Sequence, residues 1–198
     1  MKRIVVAGGI GAGKSAATER LRVLGFEVVD ADVVAHHVTE PGQPALAVLR
    51  DAFGDAIIGD DGALDRAFVA DVVFHDRTAL RRLNLITHGY IGIEIGEQLE
   101  RARGEAVFVA LPLYSREHRA AFSLDEVWAV QVTPATALER LVTLRGFSRD
   151  DALARLGNQM TNEERSQIVD RVIWNEGSLE ELYAQIDTAL ESSGITHG

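Results

Sequence analysis

Residues 8–15 read GGIGAGKS, and the placing of Gly8, Gly13, Lys14 and Ser15 fits the phosphate-binding loop G-x-x-x-x-G-K-[ST]. The chemistry follows from the residue types. Glycines at 8, 9, 11 and 13 let the backbone curl until successive N–H groups point inward at phosphate oxygens. A helix starting behind the loop adds the positive end of its dipole. Lys14 brings a point charge to the outer phosphates, and the Ser15 hydroxyl can reach a magnesium ion. Of the twenty basic residues only two, Lys2 and Lys14, are lysine. A compact ammonium suits a phosphate better than a planar fork does.

Other side chains carry chemistry less specifically. Asp30-Ala31-Asp32 closes an apolar run, at the carboxyl end of a second strand, where ligands gather in open α/β sheets. Carboxylates there can orient a hydroxyl, accept its proton or hold magnesium through water. An aspartate in that position also caps a helix; both roles stay open for Asp30, and Asp32 is read as the functional one. Arg140, Arg145, Arg149 and Arg155 gather in two predicted helices and their connection. Planar forks beside a phosphate stabilise the charge that develops in phosphoryl transfer, whereas helical arginines elsewhere are merely solvated. The six histidines lack metal-ligand spacing, and His36 and His37 are adjacent, so no metal other than magnesium is expected.

The elements that must position these groups alternate. Strand-like runs lie at Arg3–Ala7, Phe26–Asp30, Ala106–Leu111, Glu126–Val132 and Arg171–Trp174, with helical patterns between them. That alternation predicts an α/β fold with a mainly parallel five-stranded sheet and helices on both faces. The helix behind the loop is expected over Ser15–Leu24. Thr133-Pro134 supplies an N-cap and a first-turn proline for Ala135–Leu144, and Ser148 with Asp151 resembles a capping box opening Asp151–Met160. About 33–104 has no strong strand signal and is too long for a simple crossover. It reads as a helical insertion able to hold a second substrate. Inside it Gly89, Gly92 and Gly96 share one helical face. Each costs about 1 kcal/mol relative to alanine, which a close approach or a broken helix would explain. Residues 192–198 read as a frayed end.

Bulk properties exclude several classes. At 198 residues the chain fits one domain with an inserted subdomain. No apolar run reaches the roughly 20 residues that span a bilayer, and the one after Met1-Lys2-Arg3 is too short for a signal peptide. Without cysteine there is no disulfide framework, thiolate site or cysteine nucleophile, and a cytoplasmic home is expected. A net charge of −10 argues against nucleic acid as a partner, though not against a nucleotide. A guanine-specific N-K-x-D signature is absent, which turns the reading from GTPases to small-molecule kinases.

At this point the chain resembles the dephospho-coenzyme A kinase family along nearly its whole length. Beyond the loop, the residues that carry the resemblance are LGFEVVDADVVAHHV at 24–38, Glu40-Pro41-Gly42, Phe53-Gly54, Gly62, Leu64-Asp65-Arg66, Phe74, Leu83-Asn84 and Ile86-Thr87-His88. They continue with Pro112-Leu113, Arg140, Arg145, Arg155, Gln159 and VDRVIWNEGSLEEL at 169–182. The resemblance implies a three-layer phosphate-loop kinase core, a helical acceptor-binding insertion at about 33–104 and a helical lid at about 140–165. It implies transfer of the γ-phosphoryl of ATP, with magnesium, to the ribose 3′-hydroxyl of dephospho-coenzyme A, yielding coenzyme A and ADP. Asp32 would orient or deprotonate that hydroxyl, Lys14 and Arg140 would stabilise the transferring group, and Ser15 would bind magnesium. ATP would rest on Gly9, Gly11, Ala12, Gly13, Lys14, Ser15, Ala16 and Arg140, with Asn175 and Gly177 near its adenine. Arg66 and His88, with Asp32, would serve the acceptor. Lid closure would exclude water, a competing phosphoryl acceptor.

The chain also departs from the family pattern. Where the family has a D-x-P-L-L-F-E stretch, Ala110-Leu111-Pro112-Leu113-Tyr114-Ser115 keeps neither the aspartate nor the glutamate at its matching position. His36 stands where arginine is usual, and Gly89 replaces a proline. These departures leave two other readings beside the first: a related kinase with a different nucleoside or nucleotide acceptor, or a nucleotide-binding protein without transfer activity. Neither the oligomeric state nor a stand-in role for Glu117 is legible.

Overall fold

Continuous apolar runs rather than alternating ones make the three inner strands, because these are buried on both faces. In the computed structural model, which describes residues 1–196, β1 (Lys2–Gly8) leads through the phosphate loop into α1 (Lys14–Val23). β2 (Glu27–Asp30) passes directly into α2 (Ala31–His37), followed by α3 (Pro44–Phe53), a 3₁₀ turn at Asp55–Ile57, α4 (Arg66–His75) and α5 (Arg77–Arg101). Then come β3 (Ala106–Leu111), α6 (Arg116–Ala121), β4 (Glu126–Gln131) and α7 (Pro134–Thr143). α8 (Arg149–Gly157), α9 (Asn162–Ser166), β5 (Arg171–Trp174) and α10 (Leu179–Ser192) complete the chain.

The five strands form one parallel sheet in the order β2-β3-β1-β4-β5. β1 is central, and the chain crosses to one side of it and then to the other. Its carboxyl end is therefore a topological switch point, and the phosphate loop leaves from there. Ile4, Val6, Phe108, Trp128 and Val130 form one core with Ala17 and Leu21 of α1 and Leu182, Ile186 and Leu190 of α10. Phe108 and Trp128 lie 5.4 Å apart between ring centroids. Burial of each such large side chain contributes about 1.5–3 kcal/mol. Val5, Val107, Val109, Val127 and Ala129, pointing the other way, are also fully buried.

The chain divides into two compact units, one of residues 1–30 and 101 onward, the other Ala31–Glu100. The second is helical apart from an antiparallel bridge between Ile58 and Leu64. It has its own small core of Leu49, Ile57 and Val69, packed by Phe53, Leu64, Val73, Leu83 and Ile86. Asp65 starts α4 by accepting the Phe68 N–H at 2.9 Å. α5 runs unbroken through Gly89, Gly92 and Gly96, and a Cβ at any of them would meet nothing within 4 Å. The helix is not broken there, and among the described residues no other backbone or side chain closely approaches the three.

Local signals place most boundaries. Thr133 caps α7 with Pro134 at its first position, and Ser148 caps α8 by accepting the Asp151 N–H at 3.1 Å. α8 ends at Gly157 rather than Met160, with Asn158 as its C-cap, since glycine is a poor helix former. The frayed end expected from residue 192 is corrected. Ser192 closes α10, Ile195 is buried, and Thr196 is held by Glu105, whereas His197 and Gly198 lie outside the described residues. Among the described residues no helix is long and apolar enough to cross a membrane.

Candidate active site

The loop owes its shape to three glycines. A Cβ at Gly8 would stand 2.9 Å from the Val130 carbonyl oxygen of the neighbouring strand. Gly11 and Gly13 have φ of 77° and 92°, a region in which a side chain is strained. Gly13 is the N-cap of α1, and no side chain caps that helix, whose first turn carries no acidic residue. No side chain therefore competes with an anion at the start of this ten-residue helix, whose dipole favours negative charge there. Lys14 is half-buried at the start of α1 and Ser15 is exposed beside it.

Two shoulders hold this loop. On one, Asn175, buried after β5, donates from Nδ2 to the Ala12 carbonyl at 2.9 Å. Arg140 of α7 donates to the Asn175 carbonyl at 2.8 Å and to the Gly11 carbonyl at 3.4 Å. Glu176 accepts from the Thr133 N–H and, at 2.6 Å, from the Thr136 hydroxyl, tying the start of α7 to the segment after β5. The Thr136 hydroxyl first, then the Thr133 amide and the nearby Arg140 charge, hold the Glu176 carboxyl below the usual carboxylate range. A cavity beside this shoulder is lined by Gly11, Gly13, Arg140, Arg145, Asn175 and Gly177. Gly177 is constrained too. A Cβ there would collide with the Glu181 carboxylate, which caps the Ser178 N–H at 2.8 Å.

On the other shoulder Gln159, between α8 and α9, accepts the Ile10 N–H at 2.9 Å. Arg165 of α9 lies beside it, 3.3 Å from where a Gly9 Cβ would be. The arginine cluster of the sequence therefore separates. Arg140 and Arg145 line one cavity, Arg155 stacks on Phe147 at 4.5 Å, and Arg149 is exposed as the first residue of α8.

Asp30 ends β2, paired across the ladder with Ala110, and so keeps a carboxylate at the sheet edge where the D-x-P-L-L-F-E aspartate is missing. Arg22 approaches its carboxylate at 3.8 Å. Asp32 is exposed in the first turn of α2. Within the helical unit Arg66 donates to the Thr39 hydroxyl at 2.8 Å and to the Ala35 carbonyl at 3.3 Å. Arg66 and His88 line one cavity, whose other walls are largely apolar: Leu64, Val69, Val73, Leu83 and Ile91. Glu117 lies in the first turn of α6, and the Ser115 hydroxyl holds its carboxyl below the usual range. That contact serves a helix start. His37 meets Glu40 at 2.9 Å, and among the described residues no three acidic or histidine side chains gather as a metal cluster. The sequence reading missed Glu176 and Arg165 as parts of the site and took Gln159 only as a point of resemblance. Glu176 falls within the run at 169–182 that carries the resemblance, but its role, like that of Arg165, comes from meeting a distant segment.

Comparison with known proteins bears on the family and the fold. A family model described as dephospho-CoA kinase matches residues 3–181. A dephospho-CoA kinase of Leifsonia xyli subsp. xyli is 43% identical over 197 residues, covering 94% of this chain and 96% of that one. A crystal structure of a Thermus thermophilus protein superposes with a TM-score of 0.79 at 30% identity, covering 96% of this chain and 97% of the other. The dephospho-CoA kinase of Campylobacter jejuni shares the fold, with a TM-score of 0.67 at 24% identity and 96% coverage of both chains.

Proposed function

The chain belongs to the dephospho-CoA kinase family, and we propose that it transfers the γ-phosphoryl group of ATP to the ribose 3′-hydroxyl of dephospho-coenzyme A, giving coenzyme A and ADP. It is a kinase of the phosphate-loop fold, and its family's product is coenzyme A. The observation that carries the reading is the loop: α1 opens on Gly13 without a side-chain cap, Lys14 is its first residue, and Arg140 is fixed on the flanking carbonyls. Such a cradle binds the phosphates and meets charge that grows on the transferring group.

In this reading Gly9, Gly11, Ala12, Gly13, Lys14, Ser15 and Ala16 hold the triphosphate, and Lys14 and Arg140 stabilise the group in flight. Asn175 and Gly177 border the cavity that takes the nucleoside end. Asp32 orients the acceptor hydroxyl and takes its proton, and Arg66 and His88 bind the acceptor in the helical unit, where both face one cavity. Residues of about 140–165 form the lid; Gln159 already reaches the loop from that segment. Magnesium suits the donors present. The exposed Ser15 hydroxyl offers one hard oxygen, and the ion usually keeps waters and takes its remaining ligands from phosphates. When bound it neutralises charge on the β- and γ-oxygens. The cysteine-free composition suits the reducing cytoplasm.

The test is ADP release from ATP and magnesium, with and without dephospho-coenzyme A, beside Lys14→Ala. Acceptor-dependent turnover is expected, falling on the order of 10²–10³-fold in the variant. Nucleotide binding without stimulation by dephospho-coenzyme A would overturn the assignment.

A further inference from the structure

Arg140 is not alone among guanidinium groups beside the phosphate loop. Arg165, at the end of the short helix α9, lies against the opposite, amino-terminal limb of the loop. Its distance to a Cβ built on Gly9 would be 3.3 Å, and that of Gln159 Oε1 would be 3.0 Å. A side chain at position 9 would crowd both. The group is held from behind: it donates to the Met160 carbonyl at 2.8 Å and to Asn162 Oδ1 at 3.1 Å. Asn162 is in turn fixed by donating to the Val132 carbonyl, just past β4, at 2.7 Å. The guanidinium is therefore mounted on the sheet's carboxyl edge by a chain of hydrogen bonds.

Among the described residues both hydrogen bonds of Arg165 go to uncharged acceptors, and no carboxylate pairs with its positive charge. Burial lowers its pKa, as expected for a cation withdrawn from water. Keeping such a charge half-buried costs stability unless an anion arrives to meet it. The surroundings leave space for one. Gly9, Ile10, Gln159 and Arg165 line a single cavity of about 200 Å³, to whose wall Glu163, an exposed residue with no hydrogen bond to Arg165, also belongs.

We infer that Arg165 contacts the terminal phosphoryl group of the bound nucleoside triphosphate, entering from the Gly9–Ile10 side of the loop while Arg140 enters from the Gly11–Gly13 side. The inner phosphates belong to the carboxyl-terminal limb, where the amides around Lys14 and the α1 dipole lie. The terminal group then faces the amino-terminal limb, which Arg165 flanks. The two guanidiniums would share the charge that spreads over the equatorial oxygens during transfer. The Gln159 amide, bound to the Ile10 N–H, sets the limb's conformation without supplying charge.

This inference rests on the kinase reading, and nucleotide titration of the wild type and two variants separates the two. In Arg165→Gln a donor to the Met160 carbonyl is kept and the charge removed; in Arg165→Lys the charge is kept and the fork removed. Calorimetry with magnesium is run with ADP and with a non-hydrolysable ATP analogue. Arg165→Gln should weaken the ATP analogue about tenfold or more, leave ADP within about twofold, and lower kcat on the order of 10²-fold, with Arg165→Lys recovering part of each loss. Equal losses for both nucleotides, or no loss, would overturn the role for Arg165 and leave the kinase reading intact. Should Arg165→Gln not fold, an unselective or absent effect in Arg165→Lys overturns the inference in the same way. A wild type that binds neither nucleotide overturns both.

Discussion

At Gly13 two physical demands meet on one residue. Its φ of 92° lies in the left-handed region, and a Cβ would stand 2.1 Å from Asn175 Nδ2, the atom that holds the Ala12 carbonyl. Gly25 has φ of 89° with nothing within 4 Å of its Cβ position. Gly25→Ala should therefore cost only backbone strain, about 1 kcal/mol, and leave nucleotide binding unchanged. Gly13→Ala should cost about 2–3 kcal/mol, because it adds the lost Asn175 hydrogen bond to the strain, and it should abolish binding. Urea denaturation and nucleotide titration of both variants check this; equal destabilisation would show that the Asn175 contact carries no weight. The loop itself was readable in the sequence because its glycines, lysine and serine act at fixed local offsets. Asn175 on Ala12 and Gln159 on Ile10 were not, since each joins positions well over a hundred residues apart. Only the folded chain brings those partners together.

Among the elements, Glu126 joins three. It begins β4, accepts from the Trp128 indole at 3.0 Å and from Ser193 after α10 at 2.7 Å, and pairs with Lys2 of β1 at 3.4 Å. Burial pushes its carboxyl up, but the bonds from Trp128, Ser193 and Lys2 outweigh it and leave the pKa lowered. A carboxyl with a folded pKa below its unfolded value adds stability above the unfolded pKa and loses it as pH falls through the folded one. Glu126→Gln should thus be less stable than wild type at pH 7, with the gap closing below about pH 4. Thermal denaturation across pH 3–7 measures it, and a gap independent of pH would mean that the residue acts through packing alone. The strands were legible because buried parallel strands must be continuously apolar. Helix starts were legible where a hydroxyl caps them, as at Thr133 and Ser148. The insertion's helices carry weaker signals, since a small unit buries few residues and leaves Phe74, Leu85 and Ile93 exposed.

For the whole molecule, division into two compact units predicts where each substrate leaves its mark. The nucleotide should act on the sheet-bearing unit, through the loop and the start of α7, and dephospho-coenzyme A on Ala31–Glu100, whose cavity presents Arg66 and His88. With a net charge of −10, the protein repels both anionic ligands at long range, so their binding must come from locally concentrated cations. Amide hydrogen exchange reads this directly, because a ligand that binds only the folded form suppresses opening of the segments that hold it. At about a hundredfold excess over Kd, ADP should slow exchange in residues 9–16 and the first turn of α7 by up to ~100-fold, with 31–100 little changed. Dephospho-coenzyme A alone should give the opposite pattern, strongest in α4 and in the part of α5 around His88. Protection by dephospho-coenzyme A confined to the phosphate loop would remove the acceptor from the helical unit, and with it the roles given to Arg66 and His88. The phosphate loop would keep its own role in that case, because its shape depends on Asn175, Arg140 and Gln159, all of which belong to the sheet-bearing unit.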